Sequence, residues 1–306
     1  LSLCSTGVTV NLLTALNGTP EPGGTWLDPS GAVFTGPFDP SSDVPGAYTY
    51  TIAAVAPCVS ASATVTITIA SAANAGSDAT LTICSTDAPV TLVDALGGSP
   101  ALGGSWTTPG SAPFPDTFDP STDAAGVYTY TVPGTAPCLA DQAALTVVVN
   151  TQADAGTDAT ATFCRTNGLQ PLLPLLGGSP TPGGSWTNPA GNPIGANINT
   201  ASGSSGTYTY TVNGLAPCTS ASAELTITLV DQPDAGTDGT LLLCATGGPS
   251  ALSDGLTGAP DAGGVWTGPT GVPVTDVFTP GTDAPGTYLY TVNATAPCSN
   301  SSSTVE

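Results

Sequence analysis

Apolar and hydroxyl-bearing residues alternate with a period of two in many short segments of this chain. "ATVTITIA" (Ala63 to Ala70), "AALTVVVN" (Ala143 to Asn150) and "AELTITLV" (Ala223 to Val230) each place their apolar side chains on one face of an extended strand. "GVYTYTV" (Gly126 to Val132) puts Tyr128, Tyr130 and Val132 on one face and Thr129 and Thr131 on the other, and "ATLTICS" (Ala79 to Ser85) does the same with Leu81 and Ile83. Further strands are expected in "PVTLVDAL" (Pro89 to Leu96) and "GGSWT" (Gly103 to Thr107). Turn-forming clusters such as "GGSPALGG" and "PGSAPFPD" separate these runs, and no apolar stripe with helical spacing occurs. Several short strands with turns between them predict an all-β sandwich.

The segments recur on a fixed ruler. The cysteines stand at 4, 58, 84, 138, 164, 218, 244 and 298, in pairs 54 apart with a period of 80. Trp26, Trp106, Trp186 and Trp266 keep the same period, as do Tyr48/Tyr50, Tyr128/Tyr130, Tyr208/Tyr210 and Tyr288/Tyr290. A unit of this length is large enough to be a small domain rather than a solenoid turn. The expected boundaries are 1–73, 74–153, 154–233 and 234–306. Leu1 and Glu306 both align inside strand-like stretches of the other copies, so the first and last units are expected to be truncated pieces of a longer array. Within a unit the order Cys, Trp, Tyr, Cys follows the immunoglobulin order. The spacing departs from it, because the tyrosines lie 10 and 8 positions before the second cysteine instead of two.

Composition narrows the chemistry. Of 306 residues one is basic, Arg165; there is no Lys, His or Met, and 22 residues are acidic, giving a net charge of −21. The usual acid/base and nucleophilic side chains are therefore missing or, for cysteine, committed elsewhere, and no enzyme is expected. Of the acids, 19 are Asp, mostly beside Gly, Pro, Ser or Thr, where Asp shapes turns. Such a charge repels nucleic acid and anionic membranes and keeps a long molecule soluble. No apolar stretch is long enough to cross a membrane.

The evenly paired cysteines of a His-free chain predict disulfides and an oxidising, extracellular setting rather than zinc sites. One pairing exists within each unit: Cys4–Cys58, Cys84–Cys138, Cys164–Cys218 and Cys244–Cys298. Each would join the end of a first strand to the loop before the last one and stabilise its domain by about 4 kcal/mol. The tryptophans of "GGTW", "GGSW" and "GGVW" (Trp26, Trp106, Trp186, Trp266) are expected in the core, with stacking on a sugar as the sharper alternative. Asp78, Asp154, Asp158, Asp234 and Asp238 lie at the unit junctions. They form a candidate Ca²⁺ site, weighed against simple acidic turns; no other cofactor is implied. Three N-glycosylation patterns, at Asn17, Asn293 and Asn300, occupy unrelated repeat positions.

The stretches "DAGTDAT", "ATLTIC", "GGSWT" and "FDPSTDAAGVYTYTV", followed by "APC", resemble the tandem repeats of very large surface proteins of Bacteroidota bacteria. These include SprB-type gliding-motility adhesins and related cargo of the type IX secretion system. The resemblance covers essentially the whole chain and implies a cell-surface location, immunoglobulin-like repeats and a role in adhesion or as a stalk. It brings no catalytic residues. Together these features predict tandem immunoglobulin-like β-sandwich domains in an extended rod, one disulfide inside each, serving as an acidic spacer. The expected partners are other repeats of the same longer chain, other copies in a filament, and a surface or glycan at a distal tip. The alternatives are a self-assembling filament or sheath subunit and a carbohydrate- or ligand-binding array.

Overall fold

A computed structural model describes residues 1–306. The chain is all-β apart from single 3₁₀ turns, and its residues group into two compact units: 1–151 with 216–218, and 152–215 with 219–306. Each of the four sequence repeats carries its own sheet and its own apolar cluster.

Repeat 2 shows the plan. Its main sheet has five strands in the spatial order Ala79–Cys84, Asp141–Asn150, Gly126–Val132, Ser105–Thr107 and Pro113–Phe114. The first strand runs parallel to the last, with Ala79 opposite Leu145 and Cys84 opposite Asn150. All other neighbours are antiparallel. A second, two-stranded sheet pairs Val90–Thr91 with Thr117–Phe118. This is an immunoglobulin-like sandwich, and Phe118, Leu92, Leu145, Val147, Tyr128, Tyr130 and Trp106 fill its core. The alternating pattern explains why: Tyr128, Tyr130 and Val132 are buried, and the threonines between them are half-buried.

"PVTLVDAL" departs from the expected strand. Only Val90–Thr91 is extended; Val93–Ala95 forms a 3₁₀ turn that buries Leu92, Val93 and Leu96. Asp116 holds that turn, since its carbonyl accepts from Leu92 N and its carboxylate from Val93 N and Trp106 Nε1. Repeat 3 repeats the plan with Ala159–Cys164 parallel to Ala221–Val230. In repeat 1 the first strand is short, Ser2–Cys4. Repeat 4 has a four-stranded main sheet without it.

Candidate functional site: the cystine junction

Two tyrosines and a tryptophan frame every repeat. The hydroxyl of the first tyrosine donates back to a carbonyl four residues upstream: Tyr48 to Val44, Tyr128 to Ala124, Tyr208 to Ser204 and Tyr288 to Ala284, at 2.7–2.9 Å. This is the tyrosine corner of immunoglobulin-type sandwiches, which in those domains lies two residues before the second core cysteine. The place of that cysteine is taken here by the second tyrosine, and its ring packs on the tryptophan with centroids 4.9–5.0 Å apart. The hydroxyl of Tyr130 donates to Ala101 O and accepts from Gly104 N, both at 2.8 Å. A side chain at Gly104 would bring Cβ within 2.5 Å of the Tyr130 ring and 2.7 Å of Thr131 O, which explains the second glycine of "GGSW". An aromatic pair thus holds the core where a cystine would otherwise sit. Trp106, Trp186 and Trp266 are buried and Trp26 is half-buried.

The cysteines sit at the ends of the sandwich, and their pairing corrects the sequence expectation. The bonds are Cys4–Cys138, Cys84–Cys218 and Cys164–Cys298, each spanning 134 residues, with Cα–Cα distances of 4.9, 5.0 and 4.9 Å. No repeat is closed on itself; each bond runs from one repeat to the next. The parallel pairing of the first strand is the reason. It carries Cys84 to the trailing end of the last strand, beside Asn150, whereas Cys138 lies before Asp141 at the leading end. A ten-residue strand separates them by roughly 30 Å, far beyond the span of about 7 Å that a cystine allows. The cysteine at the trailing end of one repeat is thereby free to meet the loop cysteine of the following one. Cys58 and Cys244 are unpaired and exposed, so the expected bonds Cys4–Cys58 and Cys244–Cys298 are likewise absent.

The bonded cysteines share a local environment. Each loop cysteine follows a cis Ala–Pro bond. The sulfurs of Cys138, Cys218 and Cys298 lie 3.3–3.4 Å from the carbonyl oxygens of Ala70, Asn150 and Val230, the last-strand residues beside the partner. Thr86 and Thr166 stand two residues after Cys84 and Cys164 with hydroxyls 3.5 and 3.3 Å from the sulfur. Amide side chains reach the same loops: Asn150 Nδ2 donates to Ala216 O at 2.7 Å, Gln152 Nε2 to Thr219 O at 2.9 Å and Gln232 Nε2 to Ser299 O at 2.6 Å. Sequence reasoning missed these groups. Their signals were the "C-x-T" pattern of Cys4, Cys84, Cys164 and Cys244, and the glutamines one repeat period apart at 152 and 232.

The junction acids are tied to backbone amides. Asp78, Asp158 and Asp238 accept from the amides of Ala144, Glu224 and Thr304, each at 2.7 Å. Asp154 and Asp234 accept from Gly156 and Gly236 two residues on, as Asn74 does from Gly76. The structure brings no three of them, nor any three acidic or thiol groups, to a common point. In repeat 3, which lacks the Asp pair of "FDPSTD", Arg165 holds the equivalent loop. Its guanidinium donates to Thr200 O and Gly203 O at 3.4 and 3.2 Å and pairs with Asp231 at 2.7 Å.

No family model and no curated protein matches the chain. Among solved structures, a three-immunoglobulin-domain fragment of titin is 12% identical, covers 75% of this chain and 95% of its own, and has a TM-score of 0.45. The N-terminal four immunoglobulin domains of Dscam1 are 12% identical over 100% of this chain and 96% of that one, with a TM-score of 0.28. The insect immune protein hemolin is 15% identical over 85% and 81%, with a TM-score of 0.32.

Proposed function

We propose that the chain is a tension-bearing repeat segment of a bacterial cell-surface adhesin or extracellular filament, an acidic stalk that holds another module away from the cell. The resemblance to Bacteroidota surface repeats, and with it export by type IX secretion and a link to gliding, belongs to this reading. The observation that carries it is the covalent topology. Bonds Cys4–Cys138, Cys84–Cys218 and Cys164–Cys298 overlap, so at least one cystine spans every peptide bond between Cys4 and Cys298. A cystine inside each repeat would leave the junctions unspanned. Here a single cut within that span separates nothing, and tension is carried through residues 1–4, 138–164 and 298–306 even when every sandwich has opened. That path is about 140 Å fully extended, against about 1,000 Å for the reduced chain and about 330 Å for cystines inside each repeat. A catalytic or ligand-capturing domain gains little from such cross-linking; a tether exposed to shear and to proteases gains directly.

Single-molecule stretching from tags at both ends tests this. The oxidised chain should stop lengthening at about 140 Å, and reductant should release it toward the full contour of about 1,000 Å. Extension of the oxidised chain to about 330 Å or beyond would remove the basis of the proposal.

A further inference from the structure

We infer that repeat 4 carries a binding site for a neutral sugar, a hexopyranose unit of a glycan, at the N–H edge of Trp266. The inference rests on repeat 4 alone and stands apart from the stalk reading. An open cavity of about 590 Å³ lies beside this tryptophan, and Ser253, Asp261, Val265, Trp266, Val274 and Asp276 contribute to its wall. That size falls within the range of small-molecule sites, roughly 300–1,000 Å³.

In repeat 2 the equivalent edge is closed by a carboxylate. Asp116 accepts there from Trp106 Nε1 at 2.8 Å and from Val93 N at 3.1 Å. Repeat 4 keeps the aspartate as Asp276 but has Ser253 in place of Val93. Both oxygens of Asp276 turn to that serine: Oδ1 accepts from its amide at 2.8 Å and Oδ2 from its hydroxyl at 2.6 Å. Trp266 is 96% buried, being 4% exposed, and its Nε1 is left without an acceptor. No fully enclosed side-chain nitrogen or oxygen lacks a partner, so this N–H faces the cavity and not packed atoms. A second replacement makes room at the same edge. Phe114, opposite Trp106 in the sheet, becomes the smaller Val274 opposite Trp266.

The groups around the cavity select the ligand. A buried indole N–H is a donor only and needs an acceptor. The carboxylates of Asp261 and Asp276 are acceptors only, with lone pairs beyond those used by Asp234 N and Ser253. A group that accepts from the indole and donates to a carboxylate is a hydroxyl, and several hydroxyls on one small frame describe a sugar. Two carboxylates on a chain of net charge −21 disfavour an anion, and the indole N–H disfavours a cation. Val265 and Val274, 46% and 40% exposed, offer apolar surface to the C–H face of a pyranose ring. The Trp266 ring itself is packed against Tyr290, with centroids 4.9 Å apart. Recognition is therefore by hydrogen bonds at the indole edge, not by stacking on its face.

The test uses ¹H–¹⁵N spectra of the whole chain, in which each of the four tryptophans gives one indole signal. Methyl β-glucoside, methyl β-galactoside and methyl α-mannoside are titrated separately, and affinity is read by saturation transfer to the sugar. At least one should bind with a Kd on the order of 1 mM. It should move the indole signal that Trp266→Phe removes and leave the other three in place. Trp266→Phe keeps a ring against Tyr290 and should weaken binding about 5–10-fold. Ser253→Val restores the residue of repeat 2, frees Asp276 to accept from Trp266 Nε1, and should weaken binding at least as much. Asp261→Asn, which keeps an oxygen for Asp234 N, should weaken it about 3-fold. In each variant the remaining indole signals report that the fold survives. Methyl β-glucuronide, with a carboxylate on the same ring, should bind at least about 10-fold more weakly than the glucoside. The inference is overturned if no neutral sugar moves the Trp266 signal or if all four indole signals move together. It is equally overturned if Trp266→Phe or Ser253→Val binds as the parent does, or if the glucuronide binds more tightly than the glucoside.

Discussion

Repeats 2 and 4 carry the same tryptophan, tyrosines and cysteine positions, yet only one of them completes its sheet. In repeat 2, Ala79–Cys84 lies parallel to Leu145–Asn150, and Ile83 and Cys84 are buried. In repeat 4 the last strand is Ser301–Val305, a single bridge joins Gly239 to Val305, and residues 240–244 form no strand. Leu242 is 94% exposed. The local sequence does not explain this, because "TLLLC" is more apolar than "TLTIC". What differs is the partner: Ala79–Cys84 pairs along the whole of Leu145–Asn150 in repeat 2, whereas in repeat 4 only Gly239 and Leu241 bond to Thr304 and Glu306. The first strand is therefore held by its parallel neighbour rather than by intrinsic propensity, and the junction cysteine travels with it.

The two repeats should diverge most at their sulfurs. Cys84→Ser opens a loop of 134 residues, worth up to about 5 kcal/mol in the chain-entropy model and less where the other loops overlap it. Cys244→Ser, at the equivalent position of repeat 4, removes no bond and should fall within about 0.5 kcal/mol of the parent. Chemical denaturation under non-reducing conditions, followed by tryptophan fluorescence, reads both. Equal stability of the two variants would mean that Cys84–Cys218 contributes nothing.

The same contrast marks where the sequence stopped being legible. Alternation exposed the strands through Tyr128 and Leu145, because it depends on residues close in the chain, and the ruler exposed the recurring tryptophan positions, of which Trp106, Trp186 and Trp266 are buried and Trp26 is half-buried. The placement of each cysteine at a strand end and in the preceding loop was readable as well. Its partner was not. That depends on whether Ala79–Cys84 runs parallel or antiparallel to Asp141–Asn150, and an alternating pattern is identical in either direction. Antiparallel pairing would have put Cys84 at the leading end, near Cys138. The 3₁₀ turn at Val93 was hidden for a related reason: "TLVDAL" satisfies either geometry, and Asp116, more than twenty residues away, selects the turn.

At the glycine before each tryptophan the two repeats should instead agree. A Cβ at Gly104 would lie 2.5 Å from the Tyr130 ring, and one at Gly264 would lie 2.5 Å from that of Tyr290. Gly104→Ala and Gly264→Ala should each cost about 1–3 kcal/mol. Gly110→Ala, whose Cβ meets nothing nearer than 3.8 Å, should be close to neutral. Thermal unfolding of the three variants gives the ranking. A mild Gly264→Ala beside a severe Gly104→Ala would show that the open edge of repeat 4 has loosened its whole frame rather than its first strand alone.

The tyrosine corner, which both repeats also keep, should respond most gently. Burial raises the Tyr128 hydroxyl above its ordinary value of 10.0, and the Asp123 carboxylate raises it further; Tyr288 is raised by burial and then by Asp283. A folded-state value above the unfolded one means that the corner's contribution is fully present below about pH 10 and is lost as pH rises through the folded value. Tyr128→Phe removes the bond to Ala124 O and should cost about 1 kcal/mol at neutral pH. The deficit relative to the parent should shrink in strong alkali, where the parent has lost the same bond by ionising. Asp123→Asn retains an oxygen for the Asp119 amide that Asp123 now accepts at 2.8 Å, but it removes the charge. Tyrosinate absorbance should therefore appear at lower pH in that variant, and Asp283→Asn should do the same for Tyr288. A shift in one repeat without the other would mean that the corner, like the first strand, depends on how completely its sheet is closed.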